Sequence, residues 1–440
     1  MTYHHYRSTV DPRSVLRKRL QEALAGIFGD EYIVTDPDLQ ESRSADFKSD
    51  VAEKLAAERH DDARRLAERV VAELDAADLA DVEIIGSSIH FTIHDEWVGQ
   101  ALRNVLASTR LAVPEAGDPQ MVVIAYPGPD PEYRHAGHLR PMFVGDAVGR
   151  CLEFIGHRVV TLSGDPDTRD VRAKDPLTEL NWRLGTSAEP GVSRIFAKSS
   201  ALPEVADRFV FVAPADWEHH FEMLGEAARR VGWLRDVVPA EHVGIGEIRI
   251  AGDELSGSES VEAEELLKDA VRRAGTLWDW LKVGPTEWTA ETVGIGAVEL
   301  ACLSVAPKQP FVLDLNWVVS RGTNPLPLFT AEIRFRFAEA ARLVDAGAGP
   351  VEFKNPQERA LALRLLGFGA VVREVAESLD PIVLMDYLLE VAAYYSVFDK
   401  ACGVSGPTDW TTGESRLVLR AVTLRTLETG LWLLTSVHSG

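Results

Sequence analysis

The peptide Tyr133-Arg-His-Ala-Gly-His-Leu-Arg140 carries the residue types in this chain that are best suited to chemistry. Its two histidines, His135 and His138, stand three positions apart at the predicted start of a helix, beside backbone N–H groups without intrahelical partners. Gly137 has no Cβ, so a flat base or a ribose can lie against the backbone there. The peptide therefore predicts a site that stabilises a polyphosphate, or a tetrahedral phosphorus or acyl centre.

The segments around this peptide predict a parallel sheet. Met121–Tyr126 is a continuous apolar run of the kind that is buried on both faces of such a sheet. A helix is predicted over about 138–155, then a second strand at Val159–Leu162, and a third buried strand at Arg208–Ala213 precedes a helix through His220. This order predicts an α/β fold of Rossmann type, which binds its ligand at the carboxyl ends of the strands.

The residues before and after this central region have different sequence patterns. Residues 1 to about 115 predict a small α+β unit, with a helix over about 50–79 and a hairpin at Val82–Ile93. After about Thr289 helical spacing dominates, and residues 331–436 predict a helical bundle. The sequence is thus divided into three expected domains: 1–115, 116–285 and 286–440.

Composition and charge limit the classes of function. The chain has 440 residues, 46% hydrophobic and 26% charged, which is typical of globular proteins. Three widely spaced cysteines, a polar amino terminus and the lack of a long apolar run predict a cytoplasmic protein without disulfides or membrane spans. The net charge of −22 argues against DNA as a partner, since an acidic surface repels nucleic acid at long range.

The peptide His135-Ala-Gly-His138 resembles the HIGH signature of class I aminoacyl-tRNA synthetases, and residues 137–156 resemble arginyl-tRNA synthetase in particular. The likeness continues through Ala45-Asp-Phe-Lys-Ser-Asp-Val-Ala52, and through 289–298, 321–330, 379–403 and 416–434. It implies an amino-terminal additional domain that touches the tRNA elbow and a carboxyl-terminal anticodon-binding bundle. It also implies that tRNA or aminoacyl-tRNA is a partner.

The resemblance assigns catalytic positions, several of which depart from the family pattern. His135, Gly137 and His138 match the first motif, and Ser256 and Ser258 match the serines of the second, K-M-S-K-S-type motif. The lysine positions of that motif hold Glu254 and Gly257, and the position just before the HIGH motif that supplies a lysine in many arginyl enzymes holds Glu132. Carboxylates there would repel a triphosphate, where lysines would attract it.

The amino-acid pocket implied by the resemblance also differs. The positions that hold the arginine guanidinium in the family are Ile195, Ser199 and Trp217, while Asp216 and His220 lie beside them in the sequence. A guanidinium without a carboxylate partner is disfavoured in a closed site, so the apolar wall suits an aliphatic or aromatic group. His219 and His220 lack a third ligand, so no metal site is predicted.

Basic residues on two helices are the expected tRNA contacts. Arg13, Arg17 and Lys18 form a basic face on the first helix, and Arg416 and Arg420 line the last. Because local arginine rows decide docking while net charge governs long-range encounter, a total of −22 is compatible with weak, salt-sensitive binding of tRNA.

These observations leave several functions open. The leading hypothesis is an enzyme that transfers an aminoacyl group, from aminoacyl-tRNA or an activated amino acid, to the amine of a small molecule, in specialised-metabolite (antibiotic) biosynthesis. The alternatives are an ordinary arginine–tRNA ligase and a non-catalytic tRNA-binding paralogue. No cofactor is certain, with ATP or the terminal adenosine of tRNA as the candidates. The sequence does not identify the amino acid, the acceptor, the tRNA or the oligomeric state.

Overall fold

The computed structural model describes residues 10–126, 135–163, 206–230, 237–251, 256–257, 261–281, 289–320, 330, 350–402 and 410–436. Within them lie thirteen α-helices, α1–α13, and eleven strands, β1–β11, in three sheets. No helix among the described ranges is both long enough and apolar enough to cross a membrane.

The amino-terminal elements form a helix-covered antiparallel sheet. Its strands are β1 Leu39–Glu41, β2 Phe47–Ser49, β3 Ala80–Ile85 and β4 Ser88–Ile93, in the order β1-β2-β4-β3. The helices are α1 Pro12–Phe28, α2 Val51–Arg59, α3 Ala63–Glu73 and α4 Asp95–Ala107. The pairing of β3 with β4 confirms the predicted hairpin. The core of the unit contains Leu16, Leu20, Phe91 and Leu102, all fully buried.

The single long helix predicted over 50–79 is wrong. His60 adopts a left-handed conformation (φ 54°) that ends α2, and the Asp62 carboxylate then accepts the backbone N–H of Arg65 at 2.7 Å. That bond satisfies an unpaired donor at the start of α3. The result is two packed helices in place of one.

The central sheet is parallel, with strand order β6-β5-β7-β8. Its strands are β5 Met121–Tyr126, β6 Arg158–Ser163, β7 Arg208–Pro214 and β8 Ala240–Ile245. Helix α5 Leu139–Phe154 connects β5 to β6, and α6 Glu218–Arg230 follows β7. The buried apolar runs at 121–126 and 208–213 thus form the middle of the sheet, as predicted. The fold is mixed α/β with a Rossmann-type core.

A second, small sheet lies beside this core. It contains β9 Ile248–Ile250 between β10 Ser256–Gly257, which is antiparallel to it, and β11 Phe311–Leu313, which is parallel. Helices α7 Ala263–Leu281 and α8 Ala290–Leu303 pack together, and a short helix, α9 Leu315–Val318, follows β11. The Thr289 hydroxyl and Thr292 form a capping box that begins α8.

The remaining described residues form the carboxyl-terminal helical region. Its helices are α10 Pro356–Leu366, α11 Phe368–Ser378, α12 Ile382–Ala401 and α13 Trp410–Leu434. Helix α12 packs on α10, α11 and α13, which confirms a bundle over these residues. Fully buried side chains such as Leu388, Val391, Phe398 and Leu427 fill its interior.

Candidate functional site

The two histidines of the first motif lie at the start of α5. Ala136–His138 form one turn of 3₁₀-helix that runs directly into Leu139, while His135 precedes the turn with an extended backbone. The two imidazole rings are stacked, with centroids 6.4 Å apart and planes inclined by 22°. Both side chains are partly exposed, so a ligand at the amino-terminal end of α5 can reach them.

Backbone pairing connects this turn to the region of the second motif. The Ala136 N–H donates to the Val261 carbonyl at 2.9 Å, and His135 forms an antiparallel bridge with Glu262. Within the second-motif match, Ser256 and Gly257 pair with Ile250 and Arg249 of β9. The second-motif match is therefore held on β9, and the residues that follow it, Val261 and Glu262, contact the histidine turn.

Arg140, two positions after His138, is fully buried and was missed by sequence reasoning. Its guanidinium donates five hydrogen bonds, all to backbone carbonyls. Nε donates to Cys302 (3.1 Å), Nη1 to Gly246 (3.3 Å) and Gln309 (2.6 Å), and Nη2 to Val305 (2.9 Å) and Ala306 (3.0 Å).

These five bonds satisfy every N–H group of the guanidinium. Burial lowers the pKa of Arg140, whose charge is stabilised by carbonyl dipoles. Through Arg140, the start of α5 is fixed to the end of β8 and to the loop before β11. The histidine turn therefore has a rigid support.

Separate polar contacts join α5 to the end of β5, and α5 and α8 to the end of α13. The Tyr126 hydroxyl donates to Asp146 at 2.6 Å, and burial together with that carboxylate raises the pKa of the tyrosine. One turn later on α5, Arg150 donates to the Leu433 carbonyl at 3.0 Å. The buried Glu299 carboxylate accepts the Ser436 N–H through both oxygens, at 3.0 and 3.1 Å, and its pKa is raised by burial.

The predicted substrate residues Asp216 and Trp217 lie at the carboxyl end of β7. They belong to a 3₁₀ turn, Ala215–Trp217, that leads into α6. Asp216 is exposed, and the half-buried Trp217 ring lies 6.4 Å from Phe221, which in turn stacks on His242 at 4.9 Å. Trp217 therefore lies at the edge of the parallel sheet where folds of this type bind their ligands, and its role in an apolar wall remains a prediction.

Several predicted positions cannot be placed. Ile195, Ser199 and Ser258 lie outside the described residues, as do Glu132 and Glu254. His220 lies on α6, and Ser256 and Gly257 lie on β10, with only their backbones described. The part of the site that the structure brings together is therefore His135, Gly137 and His138 with their backbone neighbours. The roles given to all these residues remain predictions.

The expected tRNA contacts divide into two groups. On α1, Arg13, Arg17 and Lys18 are exposed, although Arg13 donates to the Leu39 carbonyl at 2.6 Å and Lys18 lies 3.7 Å from Glu22. These three cationic residues are thus exposed on the same helix. Their contact with tRNA remains a prediction.

The second group, on α13, requires a correction. Arg416 donates through Nε to the buried Glu358 carboxylate at 2.7 Å, and its own side chain is 15% exposed. Arg420 is 5% exposed, lies over the Phe398 ring, and places Nη2 3.5 Å from Asp399. Both cations stabilise helix packing within the bundle instead of forming an exposed row.

Within the described ranges, no cluster of three or more His, Cys, Asp or Glu side chains is arranged to hold a metal ion. The polar groups at the start of α5 are cationic or neutral donors, which suit an anionic ligand.

Two family profiles match the chain. The profile described as "DALR anticodon binding domain" matches residues 333–435, and "tRNA synthetases class I (R), catalytic domain" matches residues 101–167. The second match contains the histidine turn and α5. The first covers the helical bundle.

Individual relatives extend the likeness along the chain. The arginine–tRNA ligase of Thermobifida fusca is 29% identical over 568 aligned positions, covering 96% of this chain and 98% of the relative. That of Frankia casuarinae is 35% identical over 239 positions, covering 52% of this chain and 40% of the relative. Because the first alignment is longer than the 440 residues here, more than about 120 positions of that relative have no counterpart.

Solved structures agree on the fold. Arginyl-tRNA synthetase from Thermus thermophilus superposes with a TM-score of 0.73 at 18% identity, covering 96% of this chain and 98% of that one. The enzyme from Plasmodium falciparum gives 0.68 at 12% identity, covering 97% and 99%. Sequence profiles, relatives and fold agree, and the chain is therefore an arginyl-tRNA synthetase-like protein, with a class I catalytic fold and a carboxyl-terminal region of the DALR anticodon-binding type.

Proposed function

We propose that the chain is a tRNA-dependent ligase of the arginyl-tRNA synthetase type, acting at the turn His135-Ala-Gly-His138. The observation that carries this proposal is the position of the stacked histidines at the start of α5, paired through Ala136 with the segment that follows the second motif. Near full-length similarity to arginine–tRNA ligases supports the same activity.

The chemistry required is two successive displacements. A carboxylate oxygen of the amino acid attacks the α-phosphorus of ATP and pyrophosphate leaves. A ribose hydroxyl at the 3′ end of tRNA then attacks the carbonyl carbon, and AMP leaves. His135 and His138 would donate hydrogen bonds to the oxygens that gain charge at phosphorus, assisted by the helix amino terminus. Arg140 would keep those donors in place, since catalysis by pre-oriented groups depends on a rigid support.

The proposal of tRNA as a partner has its own support. The DALR match covers residues 333–435, and the exposed cations Arg13, Arg17 and Lys18 lie on α1 of the amino-terminal unit. With Arg416 and Arg420 committed to packing, the bundle would have to contact RNA through other residues. Binding should weaken with salt, as expected for phosphate contacts on an acidic protein.

A second candidate is transfer of an aminoacyl group to the amine of a small molecule. It is favoured by one specific observation, the absence of lysine at the activating positions Glu132, Glu254 and Gly257. The amine nitrogen would attack the ester carbonyl of aminoacyl-tRNA and release the tRNA 3′ oxygen, so no ATP would be consumed. The relatives reported above are named as ligases, which favours the first candidate. A role in specialised-metabolite biosynthesis remains a prediction from residue usage.

Two assays on the purified protein distinguish these candidates. ATP–pyrophosphate exchange across all twenty amino acids, with and without tRNA, should show exchange that depends on arginine if the ligase proposal is right, followed by arginylation of tRNA. Exchange with another amino acid alone would overturn arginine specificity.

The transfer candidate requires the opposite pattern. It predicts no ATP–pyrophosphate exchange. It also predicts that the labelled aminoacyl group of preformed aminoacyl-tRNA is transferred to an amine acceptor in the absence of ATP. If tRNA binds and neither reaction occurs, the chain is the non-catalytic paralogue, and both enzymatic proposals are wrong.

A further inference from the structure

A single arginine on the helical bundle binds the amino-terminal unit at several points. Arg359, on α10, donates through Nη1 and Nη2 to the two carboxylate oxygens of Asp46, at 2.6 and 2.7 Å. Nη2 also donates to the Ile93 carbonyl at 2.6 Å, and Nε donates to Asp95 at 2.7 Å. One guanidinium therefore joins the loop before β2, the end of β4 and the start of α4.

The arrangement is partly shielded from water. The side chains of Arg359 and Asp46 are 23% and 13% exposed, whereas that of Asp95 is 56% exposed. The hydrogen bond to Asp46 is the main cause of a raised pKa for Arg359. A bidentate arginine–carboxylate pair of this kind fixes orientation as well as distance. Asp46 also accepts the Ile93 N–H at 2.7 Å, so it belongs to the framework of the small sheet.

Two further contacts fix the same junction. Arg425, on α13, donates to the carbonyls of Leu106 and Ser108 at the end of α4. Gly99, in the middle of α4, faces Val351, and a Cβ built at Gly99 would lie 2.9 Å from the Val351 carbonyl oxygen. Helix α4 is thus held on the bundle at its beginning, middle and end.

We propose that Arg359 is a positioning residue for tRNA binding, because it holds the amino-terminal unit and the bundle together as one rigid body. The inference rests on the proposed function, in which both parts contact the same tRNA. Two surfaces at a fixed separation bind one ligand more tightly than two loosely joined ones, since the second contact costs little additional entropy. Releasing Arg359 allows the two surfaces to move independently.

The test compares a long and a short RNA on Arg359→Ala and on the near-isosteric Asp46→Asn. A full-length arginine-accepting tRNA can reach both surfaces, whereas an anticodon stem-loop can reach only the bundle. We expect the Kd of the full-length tRNA to rise by roughly tenfold in Arg359→Ala and by less in Asp46→Asn, with the stem-loop Kd unchanged in both.

Arg364→Ala is the matched control. Arg364 lies on the same helix and pairs with Glu390 of α12. It should leave both Kd values unchanged. An unchanged Kd for full-length tRNA in Arg359→Ala overturns the inference, as does a parallel loss for the stem-loop, which would indicate general damage to the bundle. Lack of tRNA binding by the unmodified protein overturns the proposed function, and this inference with it.

Discussion

The Nε atom of Arg416 lies 2.7 Å from Oε1 of Glu358, a carboxylate that is 1% exposed. The other oxygen of Glu358 accepts the backbone N–H groups of Lys354 and Asn355, at 2.7 and 3.0 Å. The pair therefore joins the start of α10 to α13. An arginine that the sequence suggests as an RNA contact is in fact part of the interior of the bundle.

This pair gives the first prediction. Arg416→Ala should lower the free energy of unfolding by about 3 kcal/mol, because it leaves a buried carboxylate without its cation. Urea unfolding followed by circular dichroism measures the change. Lys18→Ala, which removes an exposed pair with Glu22, should leave the midpoint almost unchanged. Equal, small effects of the two substitutions would show that the Glu358 pair is not a structural contact.

Arg140 gives the second prediction. Arg140→Met should lower the free energy of unfolding by at least about 3 kcal/mol, since five backbone carbonyls, that of buried Cys302 among them, lose their donor. It should also reduce turnover in whichever reaction the protein performs, because the histidine turn loses its support. Arg249→Ala, which removes an exposed pair with Glu247 on β9, is the control and should change neither quantity. Retention of full activity by a folded Arg140→Met protein would contradict the positioning role.

His138 gives the third prediction. If the histidines stabilise charge at the reacting centre, His138→Ala should lower kcat by roughly 10²–10³-fold, while the Kd for tRNA remains unchanged. Steady-state kinetics together with a filter-binding assay measure the two quantities. His219→Ala is a suitable control, because that side chain is exposed and pairs with Glu222 on its own helix. Loss of tRNA binding in His138→Ala would indicate a docking role and not a chemical one.

Glu299 gives the fourth prediction, which concerns pH. Burial raises its pKa in the folded protein above the ordinary value, so ionisation of this group opposes folding. The folded state then binds more protons than the unfolded state, and the contribution of Glu299 to stability becomes less favourable as pH rises through the acid range.

The free energy of unfolding of the unmodified protein relative to Glu299→Gln should therefore increase as the pH is lowered from 8 to 5. Urea titrations at several pH values give this difference directly. A difference that is constant with pH would mean that Glu299 has the same pKa in both states.

Gly294 gives the fifth prediction, on the packing of α7 against α8. A Cβ built at Gly294, on α8, would lie 2.7 Å from the Cα of Val271, on α7. A backbone atom cannot relieve this contact by a change of rotamer. Gly294→Ala should therefore destabilise the protein by about 1–3 kcal/mol. Gly275 lies on α7, and the atom nearest to a Cβ built there is the Ala290 Cβ, at an ordinary 3.7 Å. Gly275→Ala should therefore stabilise the protein by about 0.5–1 kcal/mol. Thermal denaturation of both variants tests the contrast, and similar shifts of the same sign would contradict it.

Local pattern was sufficient to predict the elements around the histidine turn. The apolar runs at 121–126 and 208–213 have a length and composition that favour buried parallel strands, and their order along the chain determines the βαβ connection. The motif before α5 could be recognised because it occupies consecutive positions. The sequence therefore predicted the fold class, while the place that it gives to the site, the turn before α5, stays a prediction.

Other features depend on contacts that no local pattern encodes. The acceptors of Arg140 are backbone carbonyls more than a hundred positions away in the sequence. Because every residue type has such a carbonyl, the sequence cannot identify them. Arg416 and Arg420 look like a basic row in the sequence, and only the packing of α13 against α10 and α12 shows that they are covered. The break at His60 depends on one left-handed residue, which histidine adopts only at a small energetic cost.

The contacts at the end of α13 have a consequence for the order of folding during synthesis. Arg150 and Leu433 are 283 positions apart, and Glu299 and Ser436 are 137 apart. At a translation rate of roughly 5–20 residues per second, α5 must wait some tens of seconds for its partner to be made. During that interval Arg150 lacks the carbonyl it will bind, and Glu299 lacks the N–H group that will face it. In the nascent chain, α5 and α8 therefore lack these two polar contacts until the end of α13 has been made.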